Sequence, residues 1–133
     1  MTITQYYEIK KELKKTLKDA KAYKKLATHN ELCGIDEYVD ASLKCKNVAN
    51  KKAYMDSIKY LINEKCISNA ELYYTYAAEE YHYAVLDSRN LKQKPAITQK
   101  YIDAEVYCNT KAHEMKVLLA ETLYTRVPEK TTK

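Results

Sequence analysis

The 133-residue sequence is poor in the residues that end helices and build tight turns. It contains one glycine, Gly34, and two prolines, Pro95 and Pro128. A β-sandwich or barrel needs many short strands joined by turns rich in glycine and proline, so this scarcity excludes both architectures. Lysine, glutamate, alanine and leucine are plentiful, and these residues favour helices. We therefore expect an all-α fold.

Phenylalanine and tryptophan are absent, and the aromatic side chains are 14 tyrosines. Every large ring therefore carries a hydroxyl group that needs a hydrogen-bond partner when it is buried, which suits the edge of a core or an interface. Long apolar runs are also missing, since no stretch approaches the roughly 20 apolar residues of a transmembrane helix. We expect no membrane span.

The four cysteines lack the spacing of a metal or redox motif; they are Cys33, Cys45, Cys66 and Cys108. Without a C-x-x-C pair, and with polar and charged residues at the start of the chain, we expect reduced thiols in a cytoplasmic protein. One glycine cannot build a phosphate-binding loop, and the sequence contains no nucleophile elbow. We predict that the protein is not an enzyme, needs no cofactor and has no metal site.

Apolar residues recur at helical spacing in three stretches of the chain. In the first stretch they are Ile9, Leu13, Leu17, Ala20, Tyr23 and Ala27. In the second they are Tyr54, Met55, Ile58, Leu61, Ile62 and Cys66. In the last they are Ile97, Tyr101, Ala104, Cys108, Ala112, Met115 and Leu119. The pattern predicts a single helical domain over residues 1–127 and a disordered tail over residues 128–133.

Local signals predict where these helices begin and end. Gly34 is placed to end the first helix, and Asp36 is placed to cap the segment that follows. That segment either breaks near residues 47–50 or continues straight on, and the sequence leaves both alternatives open. Residues 68–71 have the capping-box pattern S-x-x-E, which predicts that a new helix begins near Asn69.

Alanine recurs every seven residues in this next helix, at Ala70, Ala77 and Ala84. Small residues in register let another helix approach closely. A polar linker over residues 90–94 leads to the final helix, which we expect Pro128 to end. These patterns predict a bundle of four to five helices with a C-terminal antiparallel helical hairpin. The alanine repeat can close that hairpin or a symmetric homodimer, and periodicity alone does not separate the two.

Six lysines of the first helix project within a sector of roughly 100 degrees, opposite the apolar face. They are Lys10, Lys11, Lys14, Lys18, Lys21 and Lys25. Like charges one turn apart cost about 0.2–0.5 kcal/mol per pair, so helix stability alone would favour interleaved glutamates. An acidic partner, either nucleic acid or a host protein complex, would offset that cost. The alternative is the solvated face of a lysine-rich protein.

Four large side chains line up on the far side of the predicted helix from the alanine repeat; they are Leu72, Tyr76, Tyr83 and Leu86. Either this helix is central in the bundle and buries both faces, or the four residues form an exposed interface. Exposed tyrosine rings can stack on unpaired bases or anchor a protein partner.

Glu79-x-x-His82 has the spacing with which ferritin-like bundles bind two metal ions. A complete site needs a second Glu-x-x-His motif, and Thr110 stands where its glutamate would precede His113. A ferritin-like metal-binding bundle is therefore the third and weakest of our functional hypotheses. A hydrogen bond from a tyrosine hydroxyl is a simpler role for Glu79.

The C-terminal part of the chain resembles small phage accessory proteins. An alanine- and tyrosine-rich helix is followed by the polar loop Asn90-Leu91-Lys92-Gln93-Lys94-Pro95 and then by Gln99-Lys100-Tyr101-Ile102-Asp103-Ala104-Glu105-Val106, which opens a long helix. In this layout it is similar to the recombination mediators of T-even-type phages. The resemblance implies a helical hairpin in a phage-encoded protein of the host cytoplasm.

Two functional hypotheses lead. In the first, the chain is a DNA-associated accessory or host-interaction factor whose lysines contact phosphates without reading sequence, because lysine is a point charge with no bidentate geometry. In the second, it is a protein-directed inhibitor or adaptor that occupies an acidic surface of a host defence complex.

Overall fold

The structure is a computed structural model, and it describes residues 1–44 and 49–131. The side chains of Asn63 and of residues 122–131 are not described. The described residues form four α-helices and one π-helical segment and contain no strand, which confirms the all-α fold class. The elements are α1 (Ile3–Lys44), α2 (Lys51–Ile62), the π segment (Asn63–Ile67), α3 (Ser68–Asn90) and α4 (Pro95–Thr131). No described helix is both long enough and apolar enough to cross a bilayer.

Helix α3 is the central element, since it packs along both α1 and α4. The α1 contacts pair Tyr23 with Tyr76 and residue 34 with Cys66, so the two helices run in opposite directions. On the α4 side, the hydroxyl groups of Ser88 and Thr98 lie 2.7 Å apart and are buried.

Small residues at seven-residue intervals allow α1 and α3 to pack closely. Both helices carry such a row on their buried faces; the rows are Ala20, Ala27, Gly34 and Ala41 on α1 and Ala70, Ala77 and Ala84 on α3. The three alanines of this row on α3 have no exposed surface. The alanine repeat is therefore covered by the chain's own helices and is not left for a second copy.

The prediction that Gly34 ends the first helix is wrong. Helix α1 continues through Gly34 and Asp36 to Lys44, so Asp36 caps no helix there. Gly34 is buried where α1 crosses the π segment, and a Cβ atom on it would lie 3.0 Å from Ile62 Cγ2 and 3.1 Å from Cys66 Cβ. The absence of a side chain at Gly34 therefore allows α1 to approach the π segment closely. This packing outweighs the preference of glycine for helix ends.

The capping box predicted at residues 68–71 is also not formed. Ile67, which precedes α3, has helical backbone angles of φ −72° and ψ −39°, and no side chain caps the helix. The chain instead passes from α2 into α3 through the π segment without leaving the helical region. A π turn holds one extra residue per turn, which changes the phase of the buried face without ending the helix.

The sequence left open whether the chain breaks near residues 47–50, and the structure has two separate helices on either side of this region. Helix α1 ends at Lys44 and α2 begins at Lys51, and residues 45–48 lie outside the described residues. The Asn50 side-chain oxygen accepts a hydrogen bond from Ala53 N at 3.2 Å, so Asn50 caps α2.

The predicted polar linker matches the turn between α3 and α4. Helix α3 ends at Asn90, and Pro95 is the first residue of α4, a position where proline's missing N–H costs nothing. Lys92 takes a positive φ of 54° in the turn. Helix α4 extends beyond Pro128 to Thr131, so the predicted end of this helix at Pro128 is wrong. The predicted tail at residues 128–133 lies partly outside the described residues, which end at Thr131.

Candidate binding surface on the first helix

The six predicted lysines form one row on the outer face of α1, opposite its contact with α3. All six side chains are exposed, and none of them forms a salt bridge with a described residue; this lysine row comprises Lys10, Lys11, Lys14, Lys18, Lys21 and Lys25. With a rise of 1.5 Å per residue, the row is about 22 Å long. It presents six positive charges in a nearly straight line to a partner.

Two other lysines of α1, which lie beside the lysine row, do interact with residues of neighbouring helices. Lys24, beside the row, places its Nζ atom 4.7 Å from the centre of the Tyr107 ring on α4. Lys15 lies near enough to Glu80 of α3 to favour the charged form of that carboxylate. The six lysines of the row lack such partners because they lie on the outer face of α1, which packs against no described helix.

Two acidic residues of α1 lie toward α3 and not among the lysine row. Glu12 and Asp19 approach carboxyl groups of α3, Asp87 and Glu80 respectively. Burial raises the pKa of Asp87, and the charge of Glu12 raises it further. Burial also raises the pKa of Glu80, helped by Asp19. The α1–α3 contact therefore holds carboxylates that oppose one another, and Asp87 Oδ2 has no hydrogen-bond partner.

We expect Asp87→Asn to stabilise the protein at neutral pH. The pKa of Asp87 is higher in the folded chain than its ordinary value of 3.8. The folded state therefore holds more protons than the unfolded state just above pH 4, and stability falls as the pH rises through that window. The substitution removes this penalty and raises Tm at pH 7 by about 2–4 °C.

The measurement is thermal unfolding of wild type and variant from pH 3.5 to 8, with Asp56→Asn on the exposed face of α2 as the matched control. The gain from Asp87→Asn is expected to shrink as the pH falls toward 3.5, because the carboxyl group becomes increasingly protonated in both states. A gain that is equally large at acidic pH would show that carboxylate charge is not its cause.

The outer face of α1 changes character beyond the lysine row. Four apolar side chains, each more than half exposed, continue along the same face at helical spacing; this apolar row comprises Leu32, Ile35, Val39 and Leu43. The two rows share one helical sector, so a partner that lies along α1 would meet positive charge first and apolar surface after it. The apolar row was not predicted, because the sequence pattern placed the end of the helix at Gly34.

The second predicted surface, on α3, is exposed. Its four residues are between 38% and 55% exposed; they are Leu72, Tyr76, Tyr83 and Leu86. Tyr76 rests against Tyr23, with ring centres 5.5 Å apart, and so borders α1. Helix α3 is thus central between α1 and α4 and still exposes a third side. Both sequence alternatives describe part of the structure.

A ferritin-like ligand set is not assembled around Glu79 and His82. His82 Nδ1 lies 3.2 Å from Glu105 Oε2 of α4, and no third ligand joins them among the described residues. Nor does Glu79 accept a hydrogen bond from a described tyrosine hydroxyl, so the simpler role predicted for it is wrong. One group of three potential metal ligands does occur in the described residues, at Cys33, Glu37 and Cys66.

A polar network joins the three long helices. The hydroxyl of Tyr74, which has no exposed surface, donates to Glu31 Oε1 at 2.8 Å, and Lys111 Nζ donates to Glu31 Oε2 at 2.7 Å. Burial raises the pKa of Tyr74, so the phenol keeps its proton. The three residues belong to α3, α1 and α4, and no sequence pattern links them. The network fixes α1 against the other two helices and so orients the lysine row outward.

The fold and its exposed rows define the class of this chain: an all-helical protein with a basic outer helix face. No protein-family model, no curated protein and no solved structure matches it.

Proposed function

We propose that this chain is a non-enzymatic binding protein, a phage-type DNA-associated accessory or host-interaction factor, in which the lysine row contacts nucleic-acid phosphates. The observation that carries the proposal is the row itself: six exposed lysines on one helix face, without a salt bridge to any described residue. In this proposal the bundle of four to five helices, with its C-terminal hairpin, is the scaffold that holds α1 straight, and the protein works in the host cytoplasm.

The dimensions of the row suit a phosphate backbone. Duplex DNA carries one negative charge per roughly 1.7 Å of axis, so a row of about 22 Å lies beside roughly 13 charges. Each lysine that replaces a condensed counterion releases that ion, which favours binding at low salt. Because an ammonium group makes no bidentate contact with a base edge, the binding is expected to be independent of sequence.

The test is binding of the full chain to labelled DNA at about 50 mM salt, with single-stranded and double-stranded oligonucleotides of unrelated sequence. We expect binding to each, with affinities that differ little between sequences of the same strandedness. No binding at this salt concentration would contradict the proposal, and so would strong preference for one sequence.

The apolar row favours a second candidate function, that of a protein-directed inhibitor or adaptor acting on a host defence complex. A phosphate backbone offers nothing to Leu32, Ile35, Val39 and Leu43, whereas a protein surface with an acidic patch beside an apolar groove would cover both rows. Protein interfaces commonly combine an apolar centre with charged residues at the rim.

A capture experiment separates the two candidates. The tagged chain is incubated with lysate treated with nuclease, and wild type is compared with Val39→Asp, which places a charge in the apolar row. For a protein partner, one host protein is retained after nuclease treatment, and Val39→Asp loses it. Under the DNA proposal, nuclease removes every captured protein and Val39→Asp binds DNA like wild type.

A further inference from the structure

A pair of cysteines and a glutamate converge where α1 meets the π segment. Cys33 and Glu37 lie one turn apart on α1, and Cys66 lies in the π segment. Their sulfur and carboxylate oxygen atoms are all within 4.8 Å of one another. Cys66 is buried, Cys33 is half-buried and Glu37 is exposed, so the group spans the boundary between the core and the solvent.

Two features of the backbone bring these side chains together. Gly34, adjacent to Cys33, has no side chain, and the space that its Cβ would occupy lies 3.1 Å from Cys66 Cβ. The π segment replaces an ordinary helical turn at Cys66, and single π turns inside helices are frequent at functional sites. The close approach of α1 to the π segment at Gly34 therefore brings the two thiols together.

The separations fit a tetrahedral zinc ion. Bonds of about 2.3 Å to sulfur and about 2.1 Å to oxygen place two sulfurs about 3.8 Å apart, and a sulfur and an oxygen about 3.6 Å apart. Cys33 Sγ and Glu37 Oε1 are already 3.7 Å apart. With every ligand atom within 4.8 Å of the others, closure requires movements of about 1 Å, within reach of side-chain rotation.

The charges in this cluster are those that a cation relieves. Two thiolates and a carboxylate with ligand atoms within 4.8 Å of one another would repel one another without a cation between them. Lys65, the neighbour of Cys66 in the chain, would balance part of the negative charge of a metal site with three anionic ligands. A cleft of about 250 Å³ between α1 and α2 is lined by Glu37 and Lys65 and so reaches the carboxylate of the cluster.

We propose that Cys33, Glu37 and Cys66 bind one zinc ion, with water in the fourth position, and that the ion ties α1 to the π segment. Two thiolates select zinc over magnesium or calcium, which prefer sets of oxygen ligands. The ion would stabilise the end of the bundle built by α2, where Ile62 is the only buried residue of that helix. The site is separate from the lysine row and does not depend on the proposed function.

The test is a titration of the full, reduced, metal-free chain with zinc alone, in which binding is measured by calorimetry. We expect one equivalent to bind, and cobalt in its place to give the charge-transfer absorption of thiolate ligands. Cys33→Ser and Glu37→Gln, both at accessible positions, are expected to weaken zinc binding by at least about tenfold, because even partners outside the ligand shell contribute that much. Cys108→Ala, a buried cysteine elsewhere in the core, is the matched control and should bind like wild type.

Stability provides a second measurement that does not depend on heat signals. Zinc is expected to raise Tm of wild type and of Cys108→Ala and to leave Tm of Cys33→Ser unchanged. If wild type binds no zinc, or if Cys33→Ser binds it as tightly as wild type, the proposal is wrong. The variant Lys14→Glu, Lys18→Glu and Lys21→Glu, which disrupts the lysine row, should keep zinc binding, which separates this site from the proposed DNA contact.

Discussion

Replacing three neighbouring lysines by glutamate, in the variant Lys14→Glu, Lys18→Glu and Lys21→Glu, is expected to weaken DNA binding by about 100-fold or more. At about 0.1 M salt, each phosphate contact contributes close to a factor of ten through counterion release. The variant removes three of six contacts from the middle of the lysine row and adds repulsion between glutamate and phosphate. The measurement is fluorescence anisotropy with labelled duplex and single-stranded DNA.

Because all three side chains are exposed and form no salt bridge with a described residue, the triple variant should keep the helical spectrum and the Tm of wild type. The matched control carries the same change in net charge at Lys59, Lys100 and Lys116, which are exposed on α2 and α4. If the control loses as much affinity as the row variant, binding depends on total charge and the row is not the contact surface. Unchanged affinity in the row variant would refute the DNA proposal outright.

Gly34→Leu is expected to destabilise the protein by about 3 kcal/mol and to lower Tm by about 10 °C. Even the first atom of a side chain at this position would sit 3.0 Å from Ile62 Cγ2, closer than carbon atoms normally pack. A leucine would force α1 and the π segment apart and disturb the core on both sides. The measurement is thermal and denaturant unfolding followed by circular dichroism.

Two comparisons separate this effect from helix propensity. Ala22→Leu adds similar bulk at an exposed position of the same helix and should change stability by less than about 0.5 kcal/mol. Gly34→Ala should fall within about 1 kcal/mol of wild type, because the gain in helix propensity opposes the tight contacts at Ile62 and Cys66. A Gly34→Leu variant as stable as wild type would mean that α1 does not pass closely over the π segment.

Periodic patterns predicted the centre of the buried face of α1 and of α4, whereas Leu61, predicted on the apolar face of α2, is exposed. Leu13, Ala20 and Ala27 of α1 and Cys108 and Met115 of α4 are buried, as their spacing predicted. Such a pattern reports on many residues at once, and burial of each large side chain is worth roughly 1.5–3 kcal/mol. The tertiary structure therefore has to respect it.

Local sequence signals failed in two places, at Gly34 and at the capping box of residues 68–71. The local preference of glycine for a helix end is worth about 1 kcal/mol, as is a side-chain cap. The packing of α1 along α3 is worth much more, so the helices continue through both signals. At Asn50, in contrast, a side-chain cap does form, at the start of α2.

The features of the candidate sites also differ in whether the sequence could predict them. The lysine row was predictable because all its members lie on one helix, where neighbours follow from the sequence. The apolar row required knowing that α1 continues past Gly34. The Tyr74–Glu31 hydrogen bond and the meeting of Cys33 with Cys66 join different elements, and they depend on the register between helices, which no local pattern specifies.

The most direct test of the central claim, that the lysine row binds phosphates, is the salt dependence of DNA affinity. For six phosphate contacts on duplex DNA, the logarithm of the binding constant should fall against the logarithm of the salt concentration with a slope of about −5. The variant with three lysines reversed should show a slope of about −3 or shallower. A slope near zero for wild type, or equal slopes for wild type and variant, would contradict the account.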